Sequence, residues 1–513
     1  MERETIITIW ERAVRLVKKY RTTFIALIVV ISGIMLLLYR WQITQSPVAL
    51  SAHNNPVQQE NKLPGTTDWQ LTRPASYDTQ TSRFQAIEGY AWATSAAAGD
   101  TISFSISTTA PFFTADIYRL GWYQGKGGRF IQSITELGNF YPMPSMDART
   151  GLMEADWPAA FTLKIEPNWV PGMYIVKLTA ATGEQSYIPF VVRSDRASDF
   201  AFIHAASTDE AYNNWGGKSL YDFNSTGDHR ANKVSFDRPF DIDDGAGYLL
   251  TWEYPMIRWL EGNGYDVSYL STSDVQDYPI LLRNHHGVLI VGHNEYWSKT
   301  MRDNLEAAVN SGINLANFAA NSIYWQIRYE PSTKKATPGR IIVGYKDDAL
   351  DPLTGKDNSQ VTVQFRQSPV NRPEQTLLGS MWAGDFNWGT SYDWVVADAS
   401  NWVFANTGLK NGDHLPGLVG YEYDNVSRSG APIPAGTSVL SSSHVHDIAQ
   451  NRDDVSNATV YTARSGARVF NAATMQWSWG LDGYGNHNVV NPGVQKITRN
   501  ILVNFLTVPS IQR

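Results

Sequence analysis

The chain has 513 residues, 43% of them apolar and 18% charged, and a net charge of −7. That length supports two folded domains, and the acidic balance leaves no basic stripe for a polyanion, so no nucleic acid is expected as a partner. Cysteine is absent, which removes thiolate nucleophiles, cysteine-bound zinc, iron–sulfur clusters and disulfides, and restricts any nucleophile or metal ligand to oxygen and nitrogen donors.

Residues 1–21 carry Arg12, Arg15, Lys18, Lys19 and Arg21, and residues 22–40 follow as an apolar stretch with Phe24, Ile25, Leu27, Ile28, Val29, Val30 and Leu36. The stretch is about long enough to cross a roughly 30 Å hydrocarbon core. The positive-inside rule then predicts a cytoplasmic tail over 1–21 and a single transmembrane helix over 22–40, so the protein is expected in the cell membrane with its bulk extracytoplasmic. A cleaved signal peptide fits less well, because the apolar core exceeds a usual h-region. Residues 41–76 are polar with Pro47, Pro56, Pro64 and Pro74, the composition of a tether.

Over 77–195, short runs of alternating character such as Thr101 to Ser107, Phe113 to Leu120, Met173 to Leu178 and Tyr187 to Val192 are separated by Gly99-Asp100, Gly125-Lys126-Gly127-Gly128 and Pro171-Gly172. This predicts an Ig-like β-sandwich. Over 196–513, apolar strands alternate with helical stretches, which predicts an α/β domain with a largely parallel sheet. Its expected elements include a strand at Ala201 to Ala205, a helix at Trp252 to Leu260, a strand at Asp266 to Leu270 and a closing helix near Val494 to Phe505.

One crossover in this region carries the functional interest. Gly287 to Val291 and Gly312 to Phe318 read as buried strands, with a helix between them capped by Ser298 and bearing Met301, Leu305, Ala308 and Val309 on one face. A strand–helix–strand unit is a right-handed parallel crossover, and ligands of such sheets sit beyond the carboxyl ends of the strands. The segments ending these strands, His293-Asn294-Glu295-Tyr296-Trp297 and Asn321-Ser322-Ile323-Tyr324-Trp325, therefore place Tyr296 and Tyr324 on one rim. With 25 Tyr and 18 Trp in the chain, residue type alone argues for packing; position argues for a site. A Gly-x-Ser-x-Gly elbow, calcium loops and the zinc helix motif do not occur. His444-Val445-His446-Asp447 has part of a metallohydrolase pattern without its partners, and the two imidazoles would share one strand face.

Several segments together resemble the large (beta) subunit of N,N-dimethylformamidase and its relatives. They are Tyr212-Asn213-Asn214-Trp215-Gly216-Gly217-Lys218-Ser219-Leu220-Tyr221, Val234 to Phe240, Glu253 to Leu260, the two Tyr-Trp segments, Gly420-Tyr421-Glu422-Tyr423-Asp424 and Ile117 to Tyr123. The resemblance runs from about Tyr77 to Phe505. It implies a hydrolase that cleaves a C–N bond of linear amides at a mononuclear Fe(III) site held by two tyrosines and one glutamate. It also implies a C-terminal domain with a fold similar to class I glutamine amidotransferases, and a possible small partner subunit or homo-oligomer. Carried onto this chain, the metal ligands are Tyr296, Tyr324 and Glu422, with Glu295 a rival for the carboxylate. His293, Glu295 or His204 would manage protons as the catalytic groups. The oxygen donor set suits a hard trivalent ion. The membrane helix is an addition to the family pattern, and the alternative to catalysis is an envelope or cell-surface protein that binds a glycan or protein on the same fold.

Overall fold

The computed structural model of the chain describes residues 55–426, 430–485, 487 and 489–507. The expected cytoplasmic tail and membrane helix lie outside the described residues, among which no helix is long and apolar enough to cross a membrane.

The alternating runs of the first half pair as expected, because each turns one apolar face toward a common core. A five-stranded sheet runs in the order Ser95–Ala97, Gln185–Arg193, Gly172–Ala180, Phe112–Leu120, Gly128–Leu137, and a three-stranded sheet in the order Ile87–Ala91, Thr101–Thr108, Phe161–Lys164. Phe104, Ile106, Phe113, Ile117, Leu163, Val176 and Phe190 belong to one buried cluster between them. The strand Gly128–Leu137 is concealed in the sequence by the glycine run before it. Gly125 and Gly127 take φ of +88° and +89°, a conformation that favours glycine, so the run is the turn and the strand starts at its last residue.

A seven-stranded sheet organises the second half, in the order Val267–Ser271, Ser198–His204, His285–His293, Asn314–Ala320, Arg468–Asn471, Thr459–Thr462, Ser438–Val439. The neighbours from Val267–Ser271 to Arg468–Asn471 are parallel, and the last two pairings are antiparallel. The predicted crossover is present. Helix Lys299–Asn310 starts at Ser298, whose side chain accepts from Met301 N, and it buries Met301, Leu305, Ala308 and Val309.

The expectation of an α/β domain like class I glutamine amidotransferases is corrected. The molecule is β-rich with few helices, and the sheet is mixed. The physical reason lies after the crossover. From Met381 onward, short strands pair antiparallel as Met381–Asp385 with Glu422–Asn425, Tyr392–Val395 with His414–Val419, and Ser443–Asp447 with Arg452–Ser456. Among the described residues between Met381 and Ser456 the only helical segment is the single turn Trp402–Phe404, so no helical crossover returns the chain to a parallel sheet. The expected tether differs too, since within 55–76 Val57 and Trp69 are buried. The Trp69 indole donates to Lys126 O at 3.2 Å, and the Tyr187 hydroxyl donates to Trp69 O at 2.9 Å.

Buried polar contacts lock the first half onto the second. Arg119 reaches across with a fully buried guanidinium to both carboxylate oxygens of Glu261, at 2.9 and 2.8 Å. The Trp215 indole donates to Glu88 at 2.8 Å and the Tyr254 hydroxyl to Gly127 O at 2.6 Å.

Candidate active site

Two turns at the ends of neighbouring strands build the site. His293 stands beside Ala320 in the parallel ladder, and the chain leaves both strands with positive φ, at Gly292 (+66°) on one side and at Asn321 and Ile323 (+50° and +57°) on the other. A Cβ on Gly292 would meet Trp252 at 2.3 Å, so the position requires glycine. The departing backbones are then bonded to each other: Ile323 N donates to Asn294 O at 3.0 Å, and Tyr324 N to Glu295 O at 2.8 Å. Tyr296–Ser298 pairs parallel with the start of Trp325–Glu330. The predicted proximity of the two Tyr-Trp segments thus arises from the turns as well as the sheet.

The polar centre is His293 with two carboxylates. Its Nε2 lies 3.3 Å from Glu295 Oε2 and 3.7 Å from Glu422 Oε1, all three side chains buried. Glu422 is presented by its short strand, opposite Asp385, and accepts from the Asn321 side-chain amide. Glu295 accepts from the Tyr212 hydroxyl at 2.9 Å and, through both oxygens, from the Tyr221 hydroxyl at 2.9 Å. Tyr212 ends helix Ala206–Tyr212, and its ring lies 4.4 Å from that of Tyr221.

The two carboxylates differ in acidity. Burial acts to raise both. At Glu295, the hydrogen bond and charge of His293, the Lys346 ammonium and the Tyr212 hydroxyl overcome burial and hold the carboxyl below its ordinary value. At Glu422, burial prevails over the His293 charge and is reinforced by Glu295 and Asp385, which pushes the carboxyl up to about 8. Burial tends to discharge His293, but Glu422 and Glu295 raise its affinity for a proton. The phenols of Tyr212, Tyr221 and Tyr296 are driven well above their ordinary value by burial and by the Glu295 charge.

The sequence-predicted residues therefore share one buried neighbourhood, but not one geometry. Tyr296 stands with its ring nearly perpendicular to those of Tyr212 and Tyr221, at 6.3 and 6.2 Å. Its buried hydroxyl has no well-formed hydrogen bond, although Tyr221 is close enough to act on its acidity. Tyr324 packs against Trp325 and Trp382 with the Arg366 guanidinium 4.9 Å from its ring. His204 is turned away into a hydrogen bond with Glu253 at 2.9 Å. His446 pairs with Asp453 at 2.9 Å, exposed at the surface.

Sequence reasoning gave no role to Tyr212, Tyr221, Asn321 or Lys346. Tyr212 and Tyr221 lie inside a segment that carries the family resemblance, and that was their signal. Lys346 has none. It comes from the irregular stretch after Tyr329, and its Nζ sits 3.3 Å from the Tyr221 ring centre and 5.1 Å from that of Tyr296. Burial lowers its proton affinity well below normal.

Among the described residues no three His, Cys, Asp or Glu side chains are placed to share one ion. What the fold and site define is a β-rich protein whose mixed sheet ends in a buried cluster of phenols, carboxylates and one imidazole. The profile of a family described as N,N-dimethylformamidase beta subunit-like, C-terminal, matches residues 114–491, and the chain belongs to that family. It is 24% identical over 306 residues to the N,N-dimethylformamidase beta subunit of Paracoccus aminophilus, a match covering 51% of this chain and 38% of that one. The chain thus spans well under half of that relative's length. A solved cycloisomaltooligosaccharide glucanotransferase from Paenibacillus sp. with cycloisomaltoheptaose aligns at 11% identity over 50% of this chain and 58% of its own, with a TM-score of 0.17, which carries no argument.

Proposed function

We propose that the protein is a hydrolase of the dimethylformamidase kind, cleaving the C–N bond of a small linear amide at a mononuclear Fe(III) site. The observation that carries this reading is the convergence of two buried phenols on one buried carboxylate: Tyr212 and Tyr221 on Glu295, each at 2.9 Å. Family membership and the Paracoccus relative's name support the reaction class.

The donors fit the ion. Phenolate and carboxylate are hard anionic oxygens of the kind that Fe(III) prefers. Tyr212, Tyr221 and Glu295 would hold it, a set that shares with the family expectation two tyrosines and one glutamate but draws its tyrosines from an earlier segment. When bound, the ion supplies Lewis-acid polarisation of an amide carbonyl. The remaining work belongs to the chain. Hydrolysis adds hydroxide from water to the acyl carbon and a proton to the departing nitrogen. Glu422 keeps its proton up to about pH 8 and can donate it to that nitrogen. His293, between the two carboxylates, takes the proton released by the water when it is in its neutral form and returns it to Glu422. Asn321 fixes the Glu422 carboxyl, and the buried Tyr296 ring packs edge-to-face with Tyr212 and Tyr221 and helps to hold them in place. The relative's designation as a beta subunit supports a partner subunit or a homo-oligomer for this chain.

The test is to purify the full chain, measure its iron, record the visible band of phenolate-to-Fe(III) charge transfer, and follow amine release from a panel of amides. Bound iron, colour and amine release are expected. A folded protein that takes up no Fe(III) and releases no amine overturns the proposal in favour of a binding protein.

A further inference from the structure

A cleft adjoins Glu422 on its aromatic side. It has a volume of about 210 Å³ and is lined by Trp388, Tyr421, Gln476, Trp479, His487 and small neighbours. Tyr421 joins it to the site: its ring lies 5.1 Å from that of Trp388, while its phenol feels the charges of Glu422 and Glu295. Trp479 is stacked 4.8 Å from Trp252 at 10°, and on His487 at 3.6 Å, so it forms a fixed wall. Trp388 makes T-shaped contacts with Trp252 and Tyr421 and is 65% exposed, so much of its indole surface is open to a ligand. The buried Gln476 side chain contributes an amide whose Oε1 has no partner.

We infer that this cleft holds the non-reacting half of the substrate, and that this half is a small neutral aryl group. The inference rests on the hydrolase reading for the amide and on the cleft itself for the ring. Three features select the class. The volume is below the roughly 300–1,000 Å³ of drug-sized ligand sites, which suits one ring and its amide. Among the described residues no carboxylate or ammonium lines it, and burial lowers the proton affinity of His487, so a charged ligand would lose hydration without gaining a partner among them. The exposed indole of Trp388 offers aromatic contact to a planar ring. A sugar would also stack, but it needs a dense set of polar partners, and among the described residues the lining offers little beyond Gln476, Ser391, His487 and the Tyr421 hydroxyl.

Equilibrium binding, read by tryptophan fluorescence on the full chain, tests the inference without turnover. The probes are N-phenylacetamide, N-methylacetamide, benzoate, benzylammonium and methyl glucoside. N-phenylacetamide should bind at least about tenfold more tightly than each of the others, and Trp388→Ala should weaken it by about tenfold, the scale of one lost aromatic contact with its buried area. Equal affinity for N-methylacetamide, tighter binding of a charged probe or of the glucoside, or an unchanged constant in Trp388→Ala overturns the inference, whether or not the protein hydrolyses amides. Conversely, selective aryl binding without amine release from any amide leaves the cleft assignment standing and counts against the hydrolase reading alone.

Discussion

Buried carboxylates occur in two parts of the molecule and are treated in opposite ways. Where the two halves join, Glu261 is met by both guanidinium nitrogens of Arg119, by the Tyr269 hydroxyl at 2.8 Å and by the Asn61 amide at 2.7 Å; within the second half, Glu210 is met in the same way by Arg238 at 2.6 Å. At the candidate site, Glu295 and Glu422 have phenols, an amide and one imidazole, and among the described residues neither forms an ion pair with arginine or lysine. A buried charge needs a partner. The junction supplies its partners from the chain. The site instead gathers buried oxygen donors of which Glu295 alone is held in its charged form, with no guanidinium bound to it among the described residues, an arrangement that the proposed function completes with a cation from outside.

The largest effects should come from breaking the site's donor set. Glu295→Gln is expected to abolish iron binding and colour and to lower amine release by about a thousandfold, the upper range for loss of one preorganised electrostatic group. Tyr212→Phe and Tyr221→Phe should each remove or shift the charge-transfer band. Tyr296→Phe and Tyr324→Phe should keep it. The reverse pattern in absorption spectra would return the metal to the set that the family resemblance first implied.

Next in size is the junction. Arg119→Met leaves Glu261 buried without its guanidinium, and should cost about 3–5 kcal/mol in denaturant unfolding. Iron content per folded molecule should not change. A loss of iron in that variant would mean that the two regions are energetically one.

Glu422→Gln should lower the rate by about a hundredfold with iron retained. In the wild type, activity should fall as the pH rises into the range where Glu422 loses its proton, a range that a cation bound at Glu295 moves below its position in the iron-free protein, and the variant should lack that alkaline limb.

The smallest effect is on stability and is cleanest in the iron-free protein. Glu422 binds its proton more tightly when folded, about 8 against an ordinary 4.5, so the native state holds that proton across the window in which the unfolded chain releases it. Its stabilising contribution is full below pH 4.5 and is lost as the pH climbs to about 8. Urea midpoints at pH 5 and 8 should differ less in Glu422→Gln than in the wild type.

Much of this was legible along the chain. Alternation over 101–192 located strands that pair as read, and Ser298 with Met301, Leu305, Ala308 and Val309 located a helix to within a residue at its start. The class of the second half was misread, because local apolar runs indicate strands but not the direction in which distant ones pair. His293 and Glu295 were visible as polar residues at a strand end, and Glu422 entered through the family resemblance. Their partners were not: Tyr212 and Tyr221 lie 83 and 74 residues from Glu295, and Lys346 sits in a stretch without periodicity.

By itself, the sequence determined which donors exist. With no cysteine, any metal chemistry has to use oxygen or nitrogen, and the glycine at 292 and the cap at 298 set the local backbone, since such signals act over a few residues. Only the tertiary structure decided which oxygens meet. That selection depends on two turns of positive φ bonded to each other and on a helix end and a loop brought in from more than seventy residues away, and no local pattern encodes a contact that packing at such separation creates.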